Sequence, residues 1–193
     1  MKKTSSFAIA FIIGFAGFSQ TDTALNNRLN EYMKVSKSLN IVRLMDYIHP
    51  SLFTLAPKEE MIKFFENIYD NQDMTITIDS LQKGLMSKPF FIKETQYIKV
   101  DYYMVMQMKF KDEDKMNDSN FVNSMSEALQ NALPKKSVSY NSNAHYFTIR
   151  GMDVLLAIKD SPSTEWFFLG YDGKNEMTKS LFPKELIEHF ELE

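Results

Sequence analysis

Asp101 and Tyr103 stand two residues apart in the middle of the chain. In an extended segment both side chains leave the same side of the strand. A carboxylate and a phenol sharing a cavity would form an acid–base pair tuned by loss of solvent. On an open sheet face they are ordinary solvated groups, which antiparallel sheets commonly carry. The imidazoles are His49, His145 and His189. None meets a second ligand type at metal-binding spacing, so no metal site is expected. His49 is the third catalytic candidate, but Pro50 follows it, and the residue before a proline reads first as a helix end. Asp112, Glu113, Asp114 and Asp118 form an acidic cluster. It lacks the central glycine of a calcium loop and reads as a solvated turn that caps a helix. Glycine-rich phosphate loops and serine-nucleophile motifs are absent, and no cofactor is expected.

The element that carries Asp101 and Tyr103 is residues 94–110. One face reads Ile98, Val100, Tyr102, Met104, Met106, Met108, Phe110; the other reads Tyr97, Lys99, Asp101, Tyr103, Val105, Gln107, Lys109. This alternation predicts one long strand with an apolar face and a mixed face. At roughly 3.3 Å per residue it would span over about 50 Å if straight, so it is expected to bend. Three helices are expected before it. The first starts near Thr23, capped by Thr21 or Asp22, with Leu25, Leu29, Tyr32, Met33 and Ser36 on one face. The second starts near Asn40, with Ile41, Leu44, Met45 and Ile48 at helical spacing, and ends at His49-Pro50. The third opens at Pro57, with Glu59 and Glu60 in its first turn and Met61, Phe64, Phe65 and Ile68 as its stripe. Met74, Ile76 and Ile78 predict a strand, and residues 79–89 a turn around Gly84. After the long strand, residues 118–133 predict a helix, with Val122, Met125, Leu129 and Leu133 on one face. Strands are expected at 146–150, 152–159 and 165–171, then a short helix at 183–190. The third helix is expected to cover Ile98, Val100, Tyr102, Met104 and Met106.

The chain has 193 residues, 44% of them hydrophobic and 24% charged, enough for a single domain with a substantial core. Lys2 and Lys3 precede an apolar run at residues 7–18, too short to span a bilayer comfortably. Gly17 and Ser19 stand where a signal peptidase reads small residues. Residues 1–19 are therefore expected to be a cleaved signal, with 20–193 a single domain. The protein is expected to be exported, periplasmic or secreted, with no integral membrane segment after cleavage. The formal charge is -3 and becomes two units more negative without Lys2 and Lys3. With no basic block, no nucleic-acid partner is expected. The absence of cysteine excludes disulfides, thiolate metal sites, cysteine nucleophiles and lipid attachment at a cysteine after the cut.

Three helices followed by a long bent antiparallel sheet resemble the nuclear transport factor 2-like superfamily, which includes ketosteroid-isomerase-like and SnoaL-like proteins. Two stretches carry the resemblance. One is residues 25–70, with His49-Pro50 and Pro57-Lys58-Glu59-Glu60. The other is Glu165-Trp166-Phe167-Phe168-Leu169 together with Leu181-Phe182-Pro183-Lys184-Glu185-Leu186. The resemblance covers most of residues 21–190, with the helix near 118–133 as an insertion. It implies an α+β fold whose helices pack on a curved, cone-like (cystatin-like) antiparallel sheet with an apolar pocket at the open end. The superfamily holds enzymes, small-ligand binders and dimerisation modules, so fold leaves function open. The expected function is non-enzymatic binding of a small apolar ligand or a protein partner, with Tyr32, Tyr103, Val105 and Trp166 lining the pocket. The first alternative is a lyase or isomerase using Asp101, Tyr103 or His49. The second is a structural homodimer paired through the face of Tyr97, Tyr103 and Val105.

Overall fold

The structure, a computed structural model, describes residues 23–192 apart from the Met177 side chain. The expected signal at 1–19 and the capping residues Thr21 and Asp22 lie outside the described residues.

Helix α1 (Thr23–Lys37) forms because Leu25, Leu29 and Met33 recur every fourth residue, giving one buried stripe. Leu39, at a φ of 53°, takes the left-handed turn after it, and its N–H donates to Ser36 O at 3.0 Å. Helix α2 (Ile41–Leu44) is a single turn capped by Asn40, whose Oδ1 accepts from Arg43 N at 3.0 Å. A 3₁₀ turn (Pro50–Thr54) leads to α3 (Lys58–Tyr69), whose first turn carries Glu59 and Glu60 where the helix dipole favours them.

The sheet holds β1 (Met74–Met86), β2 (Phe90–Ile92), β3 (Thr95–Phe110), β4 (Ser137–Asn141), β5 (Tyr146–Lys159) and β6 (Phe167–Tyr171). Every pairing is antiparallel. The long strands β3 and β5 lie at the centre. β1 and β2 share the free edge of β3, while β4 and β6 share that of β5. Between β3 and β4 come α4 (Glu113–Asn117) and α5 (Ser119–Ala132). Asp118 caps α5 by accepting from Asn120 N at 2.9 Å. Helices α6 (Glu176–Lys179) and α7 (Lys184–His189) close the chain. The fold is α+β, with helices packed on a curved, open antiparallel sheet, and the helix expected near 118–133 is present.

Each apolar patch of the sheet is covered by a different part of the chain. Ile98 and Val100 of β3, with Leu155 and Ala157 of β5, lie under Leu25, Leu29 and Met33 of α1. Trp166 and Phe168 complete that cluster. Further along the same face, Met108 and Phe147 lie under Met116, with Phe121, Met125 and Leu129 of α5 around them. On the opposite face Leu156, Ile158 and Leu169 lie under Phe182, Leu186, Phe190 and Leu192. One end of the sheet is thus sandwiched between α1 and the C-terminal segment.

Three sequence expectations fail here. Residues 79–89 do not turn the chain as one loop: β1 runs on to Met86, and its register against β3 shifts between Ile78 and Ser80 and again between Lys83 and Met86. These bulges let the strand bend without ending. Gly84 serves close approach, since a Cβ there would sit 2.9 Å from the Asp101 carbonyl oxygen. Residues 146–159 form one strand through Gly151, and β2 and β4 were not foreseen. The third correction concerns α3. Met61, Ile62 and Phe65 pack into the cluster of Ile41, Met45 and Ile48, and Phe64 is 61% exposed. Helix α1 takes the sheet face instead. Periodicity shows that a helix has an apolar stripe but not which of two stripes wins a given surface.

Candidate functional site

On the inner face of β3, α1 covers Ile98 and Val100, and α5 approaches Met108 and Phe110. Between the two covers lie Tyr102 and Met104, and there a cavity of about 140 Å³ remains. Its wall on the helical side is Tyr32, Met33 and Ser36 of α1, Leu44 of α2 and Tyr69 of α3. Ile78 and Leu81 of β1 and Leu155 of β5 complete it. Ile78 and Leu81 are three apart and would face opposite sides of a regular strand. The bulge at Asp79 restores them to one side, opposite Met106 and Met104 respectively. Without that extra residue the cavity would lose one of its two β1 walls.

The walls are aliphatic except for the Ser36 hydroxyl and three phenols. Burial pushes Tyr32 up to about 12; a Ser36 hydrogen bond opposes the rise and nearby Tyr69 adds to it. Burial also drives Tyr102 well above the ordinary phenol range, with further contributions from Tyr32, Asp153 and Tyr69. Tyr69 is raised by burial. All three therefore remain protonated donors through the neutral range. Among the described residues no hydrogen bond engages the hydroxyl of Tyr69 or Tyr102, and no fully enclosed side-chain polar atom lacks a partner. These hydroxyls thus meet accessible space.

Asp153 pairs across the strands with Tyr102 on this face. Burial raises its carboxyl, and the hydrogen bond and charge of Lys136 offset the rise only partly. Lys136 is mostly buried; its Nζ ion-pairs with Asp153 and donates to Met152 O at 3.1 Å. Gly151 makes room for this crossing, since a Cβ there would lie 2.8 Å from Lys136 Cδ. The charge beside the cavity is therefore neutralised locally.

Of the residues expected to line a pocket, Tyr32 does so. Tyr103 and Val105 alternate with Tyr102 and Met104, so they project from the other face of β3, as does Asp101. Trp166 is 1% exposed and packed in the core beneath α1, away from the lining. His49 lies apart, at the far end of β5. Its Nδ1 accepts from Ser51 N at 3.3 Å and lies 2.8 Å from Ser51 Oγ, while Nε2 lies 2.8 Å from Asp160 Oδ2. With Nδ1 accepting, Nε2 carries the proton and donates to Asp160. Thr95 Oγ1 donates to the other Asp160 oxygen at 2.7 Å. Hydroxyl, imidazole and carboxylate are the components of an activated serine. Here, however, the backbone N–H groups that could hold an oxyanion are spent, Ser51 N on His49 Nδ1 and Leu52 N on His49 O. The chain of bonds caps the 3₁₀ turn and ties it to the end of β5. Asp101, Tyr103 and His49 thus do not meet in one cavity.

Sequence reasoning placed Tyr102 on the apolar face but did not single it out, and it passed over Tyr69 and Asp153. The available signal was a phenol interrupting an otherwise apolar face. His145 sits in the β4–β5 turn at a φ of 53°, and His189 stacks on Phe90 at 3.8 Å. The acidic cluster forms α4 and its flanks, with Asp112 accepting from Lys115 N at 3.2 Å. Among the described residues no three His, Asp or Glu side chains gather as metal ligands, and no helix is long and apolar enough to cross a membrane. No protein-family model matches the chain, and no curated protein matches its sequence.

Proposed function

We propose that the chain is an exported, non-enzymatic binding domain that holds one small, mainly apolar ligand in the cavity between α1, α3 and the sheet. The observation that carries this reading is the cavity's lining: six aliphatic side chains, three phenols and one serine, with no carboxylate, imidazole or amine. Such a wall binds by burial and has no group suited to move a proton at neutral pH. The volume narrows the ligand. Pockets for drug-sized molecules run to about 300–1,000 Å³, whereas a cavity of about 150 Å³ lined by apolar side chains takes benzene. At about 140 Å³ this site suits a single ring and is too small for a steroid. The isomerase alternative built on Asp101, Tyr103 and His49 is disfavoured because Asp101 and Tyr103 project from the face of β3 away from the cavity, while His49 is bonded to Asp160 at the end of β5. Membership of the nuclear transport factor 2-like superfamily belongs to this proposal and rests on the resemblance in element order. Export rests on the basic, apolar and small-residue pattern of the first 19 residues.

The test is benzene titrated into the mature protein, read by the methyl resonances of Met33 and Met104. Saturable shifts confined to cavity methyls are expected, and Leu155→Trp should abolish them by filling the space. Shifts that do not saturate, or that persist unchanged in the filled variant, would refute the reading.

A further inference from the structure

We infer that the ligand of this cavity is a neutral ring bearing a hydrogen-bond acceptor, and that the hydroxyls of Tyr102 and Tyr69 read that acceptor. The inference rests on the proposed binding role of the cavity. It begins from the two hydroxyls. Both belong to the lining, and neither is engaged by another described residue. A polar group withdrawn from water without a partner costs about 1–3 kcal/mol, so each hydroxyl needs a partner within the cavity space. Water supplies one when the site is empty. An entering hydrocarbon would displace that water and leave the hydroxyls unsatisfied, whereas a ring with an acceptor atom replaces the lost bond. The phenols remain protonated because burial disfavours their charged form, so they offer donors to such an acceptor.

Charge excludes the other ligand classes. No Lys, Arg or His lines the cavity, so an anionic ligand would lose its hydration without a counter-ion. A cation finds no free anion, because Asp153 is already paired with Lys136. What remains is a neutral ring with one lone pair directed at the phenols. The β-sheet side supplies Tyr102 and α3 supplies Tyr69, so the acceptor should sit at the seam between helix and sheet.

Benzene, pyridine and benzoate share a ring size and differ in this one property, so titrating each into the mature protein at pH 8, where pyridine is uncharged, tests the idea. Tyr102→Phe and Tyr69→Phe keep the rings and remove the donors, and far-UV circular dichroism checks their fold. In the wild type the pyridine-to-benzene affinity ratio should exceed that of Tyr102→Phe by roughly 3- to 10-fold, the range of one net neutral hydrogen bond. Comparing ratios cancels the different solubility of the two probes. Benzoate should not bind. A ratio unchanged in both variants, with benzene still bound, overturns the acceptor inference and leaves the binding role standing. Benzoate binding more tightly than pyridine overturns the neutral-ligand inference. Failure of both benzene and pyridine to bind overturns the binding role and this inference with it.

Discussion

Leu29 is the natural place to test the packing that frames the cavity. It is fully buried in α1 against the β3–β5 face, one turn before Met33, which lines the site. Leu29→Ala removes three methylene equivalents at about 0.8 kcal/mol each, or about 2.4 kcal/mol of transfer energy. Its neighbours include Trp166, Phe168 and Val100, which are themselves packed on every side and collapse little. A residual void of about 50 Å³ at about 24 cal/mol per Å³ adds about 1.2 kcal/mol. The total, about 3.6 kcal/mol, lies within the range of about 2.7–5 kcal/mol for buried Leu→Ala changes. At about 2–4 °C per kcal/mol for a domain of this size, Tm should fall by about 7–14 °C. The contrast is Phe64→Ala on α3, where the side chain is 61% exposed. About two-fifths of a full burial energy of about 1.5–3 kcal/mol gives about 1 kcal/mol. Urea unfolding followed by circular dichroism, with matched m-values, measures both. If Phe64→Ala costs as much as Leu29→Ala, then α3 rather than α1 covers the sheet and the argument fails.

Three further outcomes are expected. The folded values of Tyr32, Tyr69 and Tyr102 are raised, so their stabilisation is complete below the unfolded phenol value near 10 and is lost as pH rises through the folded values, about 12 for Tyr32. In an ultraviolet phenolate titration these three should ionise above the ordinary phenol range, together with unfolding; early ionisation of the cavity phenols would contradict their burial. For Asp160, burial pushes the carboxyl up but hydrogen bonds from Thr95 and His49 outweigh it, and the net value is lowered. The stabilisation it gives is therefore present above the unfolded carboxylate value and lost as pH falls through the folded one. Asp160→Asn should then cost under about 1 kcal/mol at pH 7, as for a partly exposed pair, and nothing once the wild-type group is protonated; a pH-independent difference would show that the bonds are not formed. Gly84→Ala puts a methyl 2.9 Å from the Asp101 carbonyl oxygen and should destabilise by about 1–3 kcal/mol. A neutral result would mean that β1 does not approach β3 there.

Much of the framework was legible in residue order. The strand predicted at 94–110 is β3 (Thr95–Phe110), because period-two alternation over sixteen residues is compatible with no other element. Helices α1, α3 and α5 were legible from their stripes, and the α5 start from Asp118, since these signals are local. What tertiary structure alone decided was partnership and facing. Two helix stripes competed for the apolar face of β3, and only packing chose α1. That choice made the face of Tyr102 and Met104 the cavity wall and turned Tyr103, Val105 and Asp101 to the other side. The bulge at Asp79 shifts side-chain parity by one, and no residue type in that stretch announces it. The assembly of Tyr32, Tyr69 and Tyr102 draws on α1, α3 and β3, up to 70 residues apart in sequence. Their common environment, and the raised phenol values it produces, arise from depth beneath neighbours that local sequence does not encode.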